Sequence, residues 1–304
     1  MPTVARTSAF PNDTQTRGIH MIIYQAWTQR PPQGRSIFRV YQSSQYREHS
    51  LTFGGMGLME VKAQGDAVTY GSPVEGFLET FTHAVYAKGI RITKEQWGDD
   101  LYGVMEDSPA ELGRMAYATE ETVLAGHFNN GFDATAATGP DGKELFATDH
   151  VREDGTTYRN ELSTAADFST TALEQALIDY ANFRDGGGKR LQIQPGIVMT
   201  ARDQMFNVLR VIKSAYRPED ETNAIQPVEG LGLKPVFWDY LTDTDAWFVG
   251  PKDKSDGYLM LYEREPFESD HIFDFDTGDI KLKGEFRLSS GWGDPRGWFG
   301  SPGI

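Results

Sequence analysis

The sequence predicts an α+β fold, on three observations. Apolar residues recur at helical spacing through the middle of the chain, and strand-like runs crowd its last third. The ending SSGWGDPRGWFGSPGI (289–304) has too many glycines and prolines for a helix. Yet it holds Trp292, Trp298 and Phe299, whose exposure would leave large apolar areas in water. It is expected to fold back onto the subunit or its neighbour as a packed clip, with Asp294 and Arg296 fixing the turn by hydrogen bonds.

From the N-terminus, residues 1–19 are polar, punctuated by Pro11, and read as an extended arm. Residues 20–48 mix apolar clusters (MIIYQAW, SIFRVY) with RPPQG, and read as extended chain laid over another element. Residues 51–93 follow. Their two ends are rich in Val, Ile, Phe, Tyr and Thr, and their middle is broken by Gly65, Gly71 and Pro73. The simplest reading is one long hairpin, which is marginal in water without a partner.

The period then becomes helical. Thr93 with Gln96, and Ser108 with Glu111 and Pro109 at the first helical position, are spaced as capping boxes. Behind the second, Leu112, Met115, Ala116, Thr119, Val123 and Leu124 continue to HFNNG, a helix of about 30 Å. Thr171 and Glu174 open another helix, closed by Gly186. LQIQPGIVM reads as a strand whose Pro195 requires an edge or a bulge, and Thr200 caps a third helix that ends before Pro218. RPEDETNAIQPVEG reads as a polar loop. KPVFWDYL, AWFVG, YLMLYER, HIFDF and IKLKGEFRL read as strands, the last two joined through DTGD as a hairpin.

Composition narrows function. The chain has 304 residues, a net charge of −15 and no cysteine. That acidity argues against a nucleic-acid groove and against adhesion to anionic membrane. The missing cysteines remove disulfides, thiolate metal sites and cysteine nucleophiles, and fit a reducing compartment. No apolar run approaches the roughly 20 residues of a membrane span, and the start lacks a signal-peptide core, so a soluble cytoplasmic protein is expected.

Motifs with chemistry are weak. DGGGKR (185–190) has phosphate-loop glycines but runs from helix to strand, and Arg190 stands where Ser or Thr is needed; it reads as a helix C-cap and turn. SDHIFDFDTGD gathers acids without EF-hand register and reads as a solvated hairpin. The six histidines show no ligand spacing, and there is no Gly-x-Ser-x-Gly elbow. Lys62 and Lys88 border the hairpin and read as solvated lysines, with no cross-link assigned. No catalytic, cofactor or metal residue is assigned.

Three stretches carry a resemblance: KGIRITKEQWGDDLYGVMED (88–107), LQIQPGIVMTARDQMFNVLRVIKSAYRP followed by NAIQPVEGLGLKPVFWDYLTDTDAWFVGP, and FRLSSGWGDPRGWFGSPG. In this order, after a polar arm and an unsupported hairpin, they resemble the major capsid protein of tailed bacteriophages, with the Hong Kong 97-type fold of Mu-like and related head subunits. The resemblance implies an N-terminal arm (1–48), an extended loop reaching a neighbour (49–92), a peripheral domain around a spine helix (93–163 and 251–288), an axial domain (164–250) and the clip (289–304). It implies self-assembly through pentamers and hexamers into an icosahedral head enclosing double-stranded DNA. The implied partners are sister subunits, a portal and decoration proteins. The long helical scaffolding segment of larger relatives is not seen, so scaffolding, where needed, is expected from a separate protein or an already removed piece. The expected contact residues are Val68, Tyr70, Phe77, Trp298 and Phe299. Two other readings stay open: a carbohydrate-active enzyme or sugar-binding module, with stacked aromatics and paired carboxylates, and another virion component such as a tail protein.

Overall fold

A computed structural model describes residues 13–72, 74–99, 104–136, 138–214, 225 and 227–304, with the backbone alone at 13–17, 97–98 and 104–106. The first half of the chain comprises α1 (Asp13–Thr28), α2 (Gly34–Ile37), β1 (Arg39–Gln42), β2 (Arg47–Phe53), β3 (Glu75–Thr82), β4 (Ala84–Ile92), α3 (Lys94–Gly98) and α4 (Val104–Asn129). Next come β5 (His150–Val151), β6 (Thr157–Tyr158), α5 (Thr170–Ala181), β7 (Pro195–Thr200) and α6 (Met205–Lys213). The last are β8 (Lys234–Phe237), β9 (Trp247–Pro251), β10 (Leu259–Phe273), β11 (Ile280–Trp292) and β12 (Phe299–Ser301).

Two four-stranded sheets organise these elements, in the orders β1-β10-β11-β4 and β12-β9-β7-β8. The 26-residue α4, about 39 Å long, packs on the first sheet. Its Leu112, Ala116, Leu124 and Phe128 join Ile92, Leu261, Leu282, Phe286 and Leu288 in one core. A second core holds Leu173 and Tyr180 of α5 with Val208, Val211 and Ile212 of α6. The second sheet separates the two cores. Alternate side chains of a strand point to opposite faces, so Phe248 enters the first core while Trp247 and Val249 enter the second. This explains why β9 is buried along its whole length.

Several expectations hold. Thr93 and Gln96 form the capping box of α3. Pro195 opens β7, where the pairing with β9 shifts register at a bulge before Ile197. DTGD closes the β10–β11 hairpin, with the Gly278 amide donating to the Asp274 carbonyl at 2.8 Å and Gly278 at φ +72°.

Others are corrected. Residues 13–28 are a helix rather than extended arm, because Ile19, Ile23 and Trp27 recur every four residues and pack on α4. A side chain at Gly113 of α4 would overlap the Ile23 carbonyl, so the two helices cross at backbone distance there. The α4 helix begins at Val104, which places Pro109 inside it rather than at its start. Ser169, not Thr171, caps α5, its hydroxyl accepting from the Ala172 amide at 3.2 Å. No side chain caps α6, and YLMLYER and HIFDF are one strand, β10, irregular between Glu263 and Glu268. Most of the polar loop read at 217–230, with Pro218, lies outside the described residues, as does the start of the arm. The hairpin is shorter than expected: β2 pairs with β3, and β4 instead pairs with β11 in the first sheet.

Candidate assembly surfaces

The hairpin is held at its foot and free at its tip. In the ladder His49 faces Thr80 and Leu51 faces Leu78. At the foot Phe81 is buried, its ring centroid 5.2 Å from that of Tyr262 on β10. Further out, the Gly54 amide donates to the Val74 carbonyl and the Val74 amide to the Gly55 carbonyl, both at 3.1 Å. Beyond that pair, residues 56–72 are exposed throughout. Met59 and Val61 are each 101% exposed, Tyr70 93% and Val68 60%. Two of the expected contact residues, Val68 and Tyr70, therefore stand in solvent on the tip. Phe77 is half-buried on the stem, where its amide donates to the Thr52 hydroxyl at 2.8 Å. Among the described residues, none of 56–72 belongs to either core.

The other two expected contact residues are corrected. Trp298 is 1% exposed and Phe299 0%, so neither is available to a neighbour. Trp298 lies 4.9 Å from the Phe128 ring in the first core, while Phe299 enters the second. The clip itself forms as expected. Asp294 accepts from the Arg296 amide at 2.9 Å, and the Arg296 guanidinium donates to both Asp294 oxygens and to Glu153 Oε1 at 2.7 Å. Tyr180 donates to the Gly297 carbonyl at 2.9 Å, and Asn160 Nδ2 donates to the Pro295 carbonyl at 3.1 Å. Asp294 and Glu153 beside it, outweighing burial, push the Arg296 pKa further above its ordinary value.

Sequence reasoning missed further exposed aromatic and aliphatic positions: Phe275 at the β10–β11 turn, Phe206 on α6 and Ile178 on α5. Single apolar residues in turns and on helix faces give no sequence signal that separates contact from core. The candidate chemical motifs resolve into structural ones. The 185–190 turn closes through the Asp185 carboxylate, which accepts from the Lys189 amide at 2.8 Å. It follows Asn182, the actual C-cap of α5. In SDHIFDFDTGD, Asp274 pairs with Lys281 at 2.8 Å, whereas His271 faces His20 of α1 at 3.0 Å. Among the described residues no group of three His, Asp or Glu is placed to hold a metal ion. The buried carboxylate of Glu121 is occupied by its own chain, accepting from the Gly34 amide and from Trp238 Nε1 at 2.7 Å; burial still pushes its pKa up. No helix among the described residues is long and apolar enough to cross a membrane.

The sequence matches the family described as phage capsid protein over residues 78–300, well over half the chain. No curated protein matches it. Among solved structures, the capsid of the native GTA particle aligns with a TM-score of 0.58 at 10% identity, over 88% of each chain. The capsid of cyanophage P-SCSP1u aligns at 0.57 and 11% identity, over 88% of this chain and 86% of that one. The mature capsid of bacteriophage PhiM1 aligns at 0.56 and 14%, over 87% and 84%. At such identities the likeness is one of fold, here the Hong Kong 97-type.

Proposed function

We propose, from the premise that this chain belongs to the phage capsid protein family and is a tailed-phage major capsid protein of the virion shell, how its parts share the work of assembly. The observation that carries the reading is the bare apolar tip at residues 56–72, borne on a stem fixed at Phe81. In the shell the tip lies on a neighbouring subunit, where Met59, Val68 and Tyr70 lose their exposure to water. Each side chain so covered contributes about 1.5–3 kcal/mol. Such a contact is heterologous, and repeated head to tail it closes rings. Pentamers and hexamers are those rings. Residues 164–250 act as the axial domain around their symmetry axes, and the α4 helix with residues 251–288 forms the periphery.

The net charge of −15 fits an inner wall from which packaged DNA slides free, enclosed without sequence-specific binding. A separate scaffolding protein, a portal and decoration proteins complete the head, which assembles in the host cytoplasm without membrane. The subunit performs no catalysis in this scheme.

The test is negative-stain imaging with size-exclusion chromatography, on the wild type and on a variant whose residues 57–70 are replaced by a short Gly-Ser turn. Rings or shells from the wild type, and a folded monomer from the variant, are expected. Tubes, or a wild-type monomer that binds oligosaccharide, would overturn the reading.

A further inference from the structure

The hairpin rests on a second point besides its foot, and glycines build it. The turn at residues 185–188 faces the chain where the stem becomes the tip. A Cβ on Gly187 would lie 2.6 Å from the carbonyl carbon and oxygen of Met56. A Cβ on Gly186 would lie 2.7 Å from the Gly54 carbonyl oxygen, and one on Gly55 would lie 2.6 Å from Asp185 Oδ2. Real Cβ atoms do not approach other atoms so closely, and at the first two positions the obstacle is backbone, which cannot swing aside. Gly55 also has φ +87°, a conformation glycine adopts without strain.

The turn is itself rigid. The Asp185 amide donates to the Lys189 carbonyl at 2.8 Å, the Gly188 amide donates to the Asp185 carbonyl at 3.0 Å, and Arg184 bridges Arg190. Arg296 donates to the Arg184 carbonyl at 3.2 Å, which ties the turn to the C-terminal clip. Between foot and turn the stem spans a cavity of about 420 Å³, with Ser50, Leu51, Thr52 and Phe53 on one side and Arg39, Lys254 and Met260 among the residues on the other. From Ser50 to Gly55 an extended chain covers about 17 Å. Two supports that far apart define the axis of the stem.

We infer that residues 185–188 are a glycine seat that fixes the direction in which the hairpin tip leaves the subunit, and with it the curvature at which sister subunits join. The second half rests on the assembly reading above; the first half does not. A side chain at Gly187 lifts the stem off the turn and lets it pivot about Phe81, so the tip reaches its neighbour at a different angle.

The experiment uses the full chain with Gly187→Ala and Gly186→Ala, and Gly57→Ala as a control, since nothing lies within 4 Å of a Cβ there. Hydrogen exchange at the Gly54 and Val74 amides of the unassembled subunit reads the seat, and shell diameter by electron microscopy reads its consequence. Exchange about tenfold faster in both seat variants, core melting within a few degrees of wild type, and shells of altered diameter or open edges are expected, with Gly57→Ala unchanged. Wild-type exchange in the seat variants would overturn the seat, and faster exchange with wild-type shells would overturn its role in curvature. Should Gly187→Ala fail to fold, Gly186→Ala decides, because its Cβ would meet the Gly54 carbonyl oxygen at 2.7 Å and its own φ is not positive. Should the wild type form no shells, the assembly reading fails, and exchange still decides the seat.

Discussion

Replacing Arg296 by Met keeps the buried aliphatic stem and removes the cation between two acids. The side chains of Glu153 and Asp294 are 1% and 7% exposed, and that of Arg296 5%. With the guanidinium gone, two buried carboxylates face each other without a counter-charge. Breaking such a pair from one side costs about 3–5 kcal/mol, more than an exposed bridge could lose. At about 2–4 °C per kcal/mol for a large domain, the melting temperature should fall by at least about 6 °C. Adding Glu153→Gln to Arg296→Met should recover part of the loss, since the uncharged amide removes one of the two stranded charges. Scanning calorimetry near neutral pH checks both steps. A single variant melting within about 2 °C of wild type, or a double variant no more stable than the single one, would refute the reasoning.

Three further outcomes are expected. Burial between Phe38 and Trp292 pushes His127 down to about 4, so its neutral form is favoured in the folded state. Stability from this group is complete above the unfolded value near 6.5 and declines as pH falls toward 4, at up to about 1.4 kcal/mol per pH unit; a urea series on His127→Gln should show a flatter acid limb. Gly250→Ala places a methyl 2.6 Å from the Trp298 ring and 2.9 Å from Ile197 Cγ1, and should cost about 1–3 kcal/mol by denaturant titration. Light scattering should detect assembly at lower protein concentration as salt rises from about 20 to about 200 mM, because copies at −15 repel one another until screened.

What was legible in the sequence is what local chemistry decides. The Thr93 cap, the Pro195 bulge and the DTGD turn each need only a few neighbouring residues, and each stands where the text puts it. The Asp294–Arg296 contact was legible for the same reason, being two residues apart. What failed depends on distant partners. Residues 13–28 carry a helical stripe at Ile19, Ile23 and Trp27, but the nearby RPPQG suggested extended chain; packing on α4 decides the helix. The composition of the tail predicts that Trp298 and Phe299 pack, yet nothing in it says whether the surface they cover belongs to the same molecule. The seat was hidden for a further reason. A glycine required by close approach looks in sequence like any glycine in a turn, and its partners at 54–56 lie about 130 residues away.

The run GWGDPRGWFG at 291–300 joins clip to hairpin. Gly291 leaves room for Phe81, since a Cβ there would lie 2.7 Å from its ring. Gly293 does the same for the Ser50 hydroxyl, at 3.1 Å. Those two glycines thus form the floor under the foot of the hairpin. Asp294 and Arg296 close the turn, and Arg296 reaches on to the Arg184 carbonyl beside the seat. Trp298, just before β12, enters the first core, and Phe299, the first residue of β12, enters the second. A single stretch of the tail therefore supports both points on which the projecting hairpin rests. This places the aromatic ending inside the subunit, while residues 56–72 stay exposed.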